Sequence, residues 1–265
     1  MTIFTREMKA NLKSLILWCF GTSVLVLSGM SKYTNLAGTG QSMNKLIEDL
    51  PKTLQVIMGI GNLDLSTASG YYGSLYFYLL LIASIHSIML GTAIIAKEER
   101  DKTAEFLFAK PVSRKKIISC KLLAALANVL ILNIFTLLFS LFIVPLFSEG
   151  EQISRDIAIL MAGMFFVQLL FLSLGTIVAA VYRKPKLTFP LSAGILMLAF
   201  VLSVMIDLNE KWEPLKYFTP FQYFEAEHLI NGGKLQPEFV LLALILSLLF
   251  ILAACRFFNK RDLSL

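Results

Sequence analysis

The chain has 265 residues, 57% hydrophobic and only 16% charged, with a formal net charge of +6. Soluble domains usually hold about 25% charged residues. That shortfall, with a mean hydropathy of +0.72, excludes an ordinary water-soluble enzyme and points to a chain solvated largely by lipid. The three cysteines, Cys19, Cys120 and Cys255, lie in or beside apolar runs and suggest no disulfide framework.

A bilayer's hydrocarbon is about 30 Å thick, so a spanning helix needs roughly 20 mostly apolar residues at about 1.5 Å each. In chain order, the first fourteen residues place Ile3, Phe4, Met8, Leu12 and Leu15 at spacings of three and four, with Arg6, Glu7, Lys9 and Lys13 between them. This pattern suits an amphipathic interfacial helix, or equally a water-exposed extension of the span that follows. That span, Leu15 to Met30, is short. Ser28, Gly29 and Ser31 at its end also fit a signal-peptide core, but Glu7 ahead of it and five later spans favour a retained helix.

Between Ser31 and Gly70, apolar spacing at Met43, Leu46, Ile47 and Leu50, then at Leu54, Ile57 and Met58, predicts two short helical pieces broken at Pro51. Gly59, Gly61 and Gly70 mark turns, and the Tyr71, Tyr72 pair suits a headgroup boundary. The second span covers Tyr72 to Ala96. A charged loop follows, in which Thr103 is a candidate N-cap, Pro111 a stop and Ser113 the cap of the next helix. The third span covers Ile117 to Phe147, the fourth Ile157 to Tyr182 and the fifth Leu187 to Ile206. An aromatic segment then runs from Asn209 to Gln236, divided by Pro214 and Pro220, and is expected to dip into the interface like a re-entrant helical piece. Phe239 to Phe258 is the sixth span. The expected fold is therefore an all-α integral membrane domain over residues 1–265.

Charge sets the orientation. With both termini in the cytosol, the inner pieces carry seventeen of the 24 Lys and Arg, while twelve of the 18 Asp and Glu fall on the outer pieces. That is the positive-inside pattern, and it predicts a multi-pass protein of the plasma membrane, bacterial by expectation, with cytosolic ends. The net positive charge then reflects orientation, and no nucleic-acid footprint accompanies it.

In the loop after the second span, Phe106, Leu107 and Phe108 form an apolar cluster amid charge. Such a cluster needs cover, from the membrane surface or from a partner's groove. Arg114, Lys115 and Lys116 suit anionic lipid headgroups. Glu98-Glu99, Thr103, Leu107, Pro111-Val112-Ser113-Arg114 and Lys121-Leu122-Leu123 together resemble the signature of type-2 ATP-binding cassette (ABC) exporter permeases. Leu50-Pro51 with Met58-Gly59, and Phe218-Thr219-Pro220-Phe221, resemble two outer elements of the same family. Lys102 stands where the family has Gly.

The resemblance implies a permease subunit that pairs with a second permease, a copy or a homologue, and with two cytosolic nucleotide-binding ATPase subunits. It implies that the loop is a coupling helix, with Glu98, Glu99, Thr103, Glu105, Phe106, Leu107, Phe108 and Pro111 as the ATPase contact. The sequence holds no Gly-x-x-x-x-Gly-Lys-Ser/Thr phosphate loop, so ATP and Mg are expected on the partner, with no catalytic residue, cofactor or metal on this chain.

Among polar residues within the spans, His86, Asn128, Asn133 and Gln168 are candidates to line a path, as are Ser173 and Thr176, although helix contacts use the same residue types. Phe135, Phe139, Phe142, Phe165, Phe166 and Phe171 suit an apolar path or a lipid face, and an amphipathic peptide or hydrophobic drug would match such a path. An ion-coupled carrier is the main alternative, with His86 as its only deep ionisable group; a non-transporting anchor or sensor for an ATPase is another. An intramembrane enzyme fits less well, because His86 lacks a ligand-spaced partner. Glu225, Glu227 and His228 could meet a metal or peptide, but the same spacing is common on solvated helix faces.

Overall fold

The computed structural model describes residues 3–37, 50–61, 63–100, 113–148, 150–182 and 185–260. Among them the α-helices are α1 (Ile3–Ala37), α2 (Lys52–Ile57), α3 (Ala68–Arg100), α4 (Arg114–Ile143), α5 (Ser154–Val181), α6 (Pro185–Leu208), α7 (Ala226–Gly232) and α8 (Pro237–Lys260). Short 3-10 turns cover Val144–Leu146, Glu210–Phe218 and Pro220–Phe224. Six of the helices, α1, α3, α4, α5, α6 and α8, are long and apolar enough to cross a bilayer, so the chain is a multi-pass membrane protein.

The first helix differs from its expected form. α1 is one continuous rod of 35 residues, about 52 Å at 1.5 Å per residue. Residues 3–14 are thus its opening turns, the extension reading of that segment, and not a separate interfacial helix. No proline separates the amphipathic part from the apolar part, so the backbone ladder runs through both. The same rod carries on past Met30 through Ser31, Lys32 and Thr34, which an apolar count alone leaves out.

Local chemistry explains other boundaries. Ser113 caps α4, its hydroxyl accepting from the Lys116 amide at 3.4 Å. α2 starts directly after Pro51, and α6 starts at Pro185. Pro190 lies early in α6, where it removes a single hydrogen bond of the ladder. The expected helical piece around Met43 to Ile47 lies outside the described residues.

α3 and α5 form the centre of the bundle. Their most apolar stretches are 72% and 61% buried, against 33% or less for the other four spans. The two backbones nearly touch. A Cβ on Gly91 would lie 2.1 Å from the Leu172 carbonyl oxygen, and one on Gly175 would lie 2.3 Å from that of Ile88. Small residues permit this approach in a membrane, where dispersion at close range drives helix association because lipid and side chains are equally apolar. α1 packs chiefly on α4, α6 on α3, and α8 on α5.

Cross-helix contacts define two ends of the bundle. At the basic end, which carries residue 3 and residue 260, Lys121 on α4 donates to the Ile94 carbonyl on α3 at 2.7 Å. At the acidic end, Ser69 donates to Asp156 at 2.5 Å, the Ala68 amide to Glu151 at 2.9 Å, and Arg155 to the Gly233 carbonyl at 2.9 Å. Near that end Tyr72 is buried within the bundle, its hydroxyl donating to Ser140 on α4 at 2.8 Å. A buried tyrosine is tolerated where its hydroxyl is bonded.

In the aromatic segment after α6, Trp212, Tyr217 and Phe218 are exposed, whereas Pro220–Phe224 packs deep among the helices. Phe221 lies between Phe171 of α5, 5.2 Å away, and Phe200 of α6, 5.7 Å away, while Phe224 stacks on Phe166 at 5.7 Å. Tyr76 of α3 donates to the Phe224 carbonyl at 3.2 Å and Thr219 donates to the Ala199 carbonyl at 2.8 Å. These bonds satisfy backbone that lies among apolar side chains. α7 then closes on Gly233, whose φ of 60° suits a left-handed cap.

Candidate functional site

A cavity of about 180 Å³ opens near the basic end among α1, α3, α4 and α6. Asn11, Ser14 and Trp18 line it from α1, and His86, Met89, Thr92, Ala93 and Lys97 from α3. Asn128 closes it from α4, with Thr188 and Phe189 from α6. His86 is 4% exposed and its ring meets Trp18 edge-on at 5.5 Å. Asn128 is 1% exposed; its amide nitrogen donates to the Ala124 carbonyl at 2.8 Å and reaches the Met8 sulfur at 3.1 Å. Two buried polar atoms on residues that line this cavity, His86 Nδ1 and Asn128 Oδ1, have no hydrogen-bond partner among the described residues. Each carries a desolvation cost of about 1–3 kcal/mol unless something bonds it.

The structure therefore brings together two of the four span residues singled out by polarity. The other two form a separate pair. Asn133 of α4 donates to Gln168 Oε1 of α5 at 3.0 Å and to the Met161 carbonyl at 3.1 Å. Both are buried, and their geometry is that of a clamp between helices. Ser173 and Thr176 donate to carbonyls of their own helix, at Leu170 and Leu172. The phenylalanines divide likewise: Phe171 is buried on α5, whereas Phe135 and Phe142 on α4 are exposed on the outer surface of the bundle.

The loop segment has a partial frame. Glu98 and Glu99 belong to the last turn of α3, and α4 begins at Arg114 behind its Ser113 cap. Thr103, Glu105, Phe106, Leu107, Phe108 and Pro111 lie outside the described residues. Lys121, one of the residues carrying the sequence resemblance, is 1% exposed and ties the starts of α4 and the end of α3 through Ile94.

At the acidic end a second cavity, of about 520 Å³, lies under α2 and α7. Asp207, Glu213, Glu225, Glu227, His228 and Lys52 line it beside Tyr76, Phe77 and Phe221. Gln222 Nε2 donates to Asp207 Oδ1 at 2.6 Å, to Glu225 Oε1 at 2.7 Å and to Ser203 Oγ at 3.1 Å. Burial, and then the neighbouring Asp207 charge, push the Glu225 carboxyl well above the usual carboxylate range. His228 stands 3.6 Å from Glu225. No group of three or more His, Cys, Asp or Glu side chains has metal-binding geometry among the described residues.

Sequence reasoning did not connect Trp18, Asn11 or Ser14 with His86, nor Gln222 with Asp207. Those partners are separated by a helix or more, and no spacing rule within one helix joins them.

A comparison with curated proteins finds no match. The family described as "ABC-2 family transporter protein" matches residues 1–263, nearly the whole chain, and so covers the six spans, the loop between α3 and α4 and the aromatic segment alike. With six apolar helices packed as one bundle and that match running end to end, the chain belongs to the ABC-2 family of transporter membrane proteins.

Proposed function

We propose that this ABC transporter permease is the membrane half of an exporter. In this reading it works as a pair, with a second copy or a homologous permease, and two cytosolic ATPase subunits bind ATP and Mg and drive it. The basic end of the bundle faces the cytosol and the acidic end the outside of a plasma membrane. The loop between α3 and α4 makes the ATPase contact, through Glu98, Glu99, Thr103, Glu105, Phe106, Leu107, Phe108 and Pro111, and the aromatic segment after α6 is a re-entrant element. The path runs along the interface between permeases and carries amphipathic peptides or hydrophobic drugs.

The observation that supports this reading most is the family match over residues 1–263, in a chain with no phosphate loop of its own. Concentration of Lys and Arg at the end that bears Glu98, Glu99 and the α4 cap supports the orientation. Coupling is tested by Glu98→Lys and Glu99→Lys combined with Phe106→Ala. The variant chain is expected to reach the membrane at normal levels while recovery of the ATPase on co-purification falls at least about tenfold, a loss of ~1.4 kcal/mol. Unchanged assembly would sink the coupling assignment. In proteoliposomes, ATP-dependent movement of peptide is the expected result, whereas ATP turnover without movement would make the chain an anchor for its ATPase.

A further inference from the structure

The chain after α6 is held firmly as far as Phe224 and lightly beyond it. Phe221 and Phe224 are buried in the core, whereas α7 has seven residues, buries only Leu229 and leaves His228, Asn231 and Gly232 exposed. A helix this short depends on how its ends are fixed. At the far end Arg155 of α5 donates to the Gly233 carbonyl at 2.9 Å. At the near end stands Glu225, whose carbonyl accepts the first bond of the helix from the Leu229 amide at 3.1 Å. Its carboxyl is bonded to that of Asp207 on α6, and Gln222 Nε2 donates to both, at 2.7 Å and 2.6 Å. A carboxylate has no donor, so two carboxyls bond each other only while one of them keeps a proton. That proton is a structural part of the joint between α6 and α7.

The groups around the joint come from several elements. Glu227 and His228 of α7, Glu213 of the preceding 3-10 turn and Lys52 of α2 line the same cavity, as does Tyr76 of α3, whose hydroxyl donates to the Phe224 carbonyl. Among the described residues α5 adds no titratable side chain to the wall. Glu213 is neutralised by Lys216 at 3.1 Å, and His228 stands 3.6 Å from Glu225. Glu227 adds to the negative field at Glu225, which Lys52 and a protonated His228 oppose. Burial, and then the Asp207 charge, hold the Glu225 carboxyl well above the usual carboxylate range, so the shared proton stays in place at neutral pH.

We propose that α7 is a flap over the acidic-end cavity of about 520 Å³, latched by the one proton that Asp207 and Glu225 share and released when the pair loses it. Loss of the proton to water replaces an O–H···O bond with two facing carboxylates. Their repulsion moves the lightly held start of α7 and not Asp207, which belongs to a spanning helix. The far end can follow, because a Cβ on Gly232 would meet nothing within 4 Å. Release uncovers the aromatic floor of the cavity at Tyr76, Phe77 and Phe221. The flap is closed in acid and open in alkali, and it depends on no assumption about substrate, ATPase or orientation.

Pulsed electron paramagnetic resonance distances in the full chain test it, with spin labels on Thr53 of α2 and Asn231 of α7, both exposed, after Cys19, Cys120 and Cys255 are changed to serine. One short distance is expected near pH ~6; a longer component should grow from about a tenth of the molecules there to at least about half near pH ~10, a roughly tenfold shift of the equilibrium. Glu225→Gln, whose amide can donate to Asp207 at every pH, should keep the short distance throughout, and Asp207→Asn should do the same. Labels on Thr53 and Ser154 of α5 should report one distance at every pH. A wild type without the longer component, or a longer component that persists in either variant, would overturn the proposal. A matching change between Thr53 and Ser154 would overturn it too, by showing a general loosening of the acidic end in place of a flap.

Discussion

Gly175 and Gly194 are both glycines within spanning helices, yet the structure gives them opposite sensitivities. On Gly175 a Cβ would press into backbone of α3, at the Ile88 carbonyl and the Thr92 amide, while on Gly194 it would meet nothing within 4 Å. Backbone cannot step aside as a flexible side chain can. Gly175→Ala is therefore expected to destabilise the bundle by about 1–3 kcal/mol, the usual cost of overpacking, and to lower the thermal midpoint of the protein in detergent. Gly194→Ala should leave that midpoint unchanged or slightly higher, since alanine is the better helix former. Equal effects would show that α3 and α5 do not approach as closely as described. Nothing in the local sequence around either glycine distinguishes them. Polarity alone picked out His86, Asn128, Asn133 and Gln168, but it did not show that they divide into a cavity pair and a clamp.

Among the elements, the aromatic segment between α6 and α8 is where composition and structure agree most usefully. Its prolines predicted short pieces, and the structure has two 3-10 turns and the short α7, with Phe221 and Phe224 as anchors in the core. Its attachment is also through hydrogen bonds. Gln222 bridges Asp207 and Glu225, two carboxyls bonded to each other, and Glu227, Glu213, His228 and Lys52 line the same cavity. Two carboxylates this close cannot both ionise without strong repulsion. Glu225 holds its proton more tightly folded than unfolded, so the folded state binds more protons in the window between about 4.5 and about 9. Stability contributed here is present in acid and is lost as pH rises through that window. Thermal midpoints taken from pH 5 to 9 should fall with pH in the wild type and fall less in Glu225→Gln, which keeps the shape and cannot ionise. Parallel curves would remove this pair as the cause. By contrast α1, read from apolar residues as a short span, is the longest helix described, because helix continuity depends on backbone compatibility and not on hydropathy.

For the whole molecule, alternating spans and segregated charge make one topological prediction. A cysteine placed at Gly150, in the turn between α4 and α5, should react in intact cells with a membrane-impermeant maleimide, whereas one at Lys260 should react only after lysis; the native Cys19, Cys120 and Cys255 are first changed to serine. The reverse pattern would invert the orientation and with it the placing of the loop at Glu98 and Glu99. The sequence by itself determined the number of spans, the basic and acidic ends and the family, since these depend on length, charge and motifs that are local in the chain. Only the tertiary structure decided that α3 and α5 are the core, that Trp18 meets His86 and that Asn133 meets Gln168. The reason is physical: in a bilayer, lipid tails and a protein interior are equally apolar, so hydropathy locates a span without saying which face meets lipid and which meets another helix.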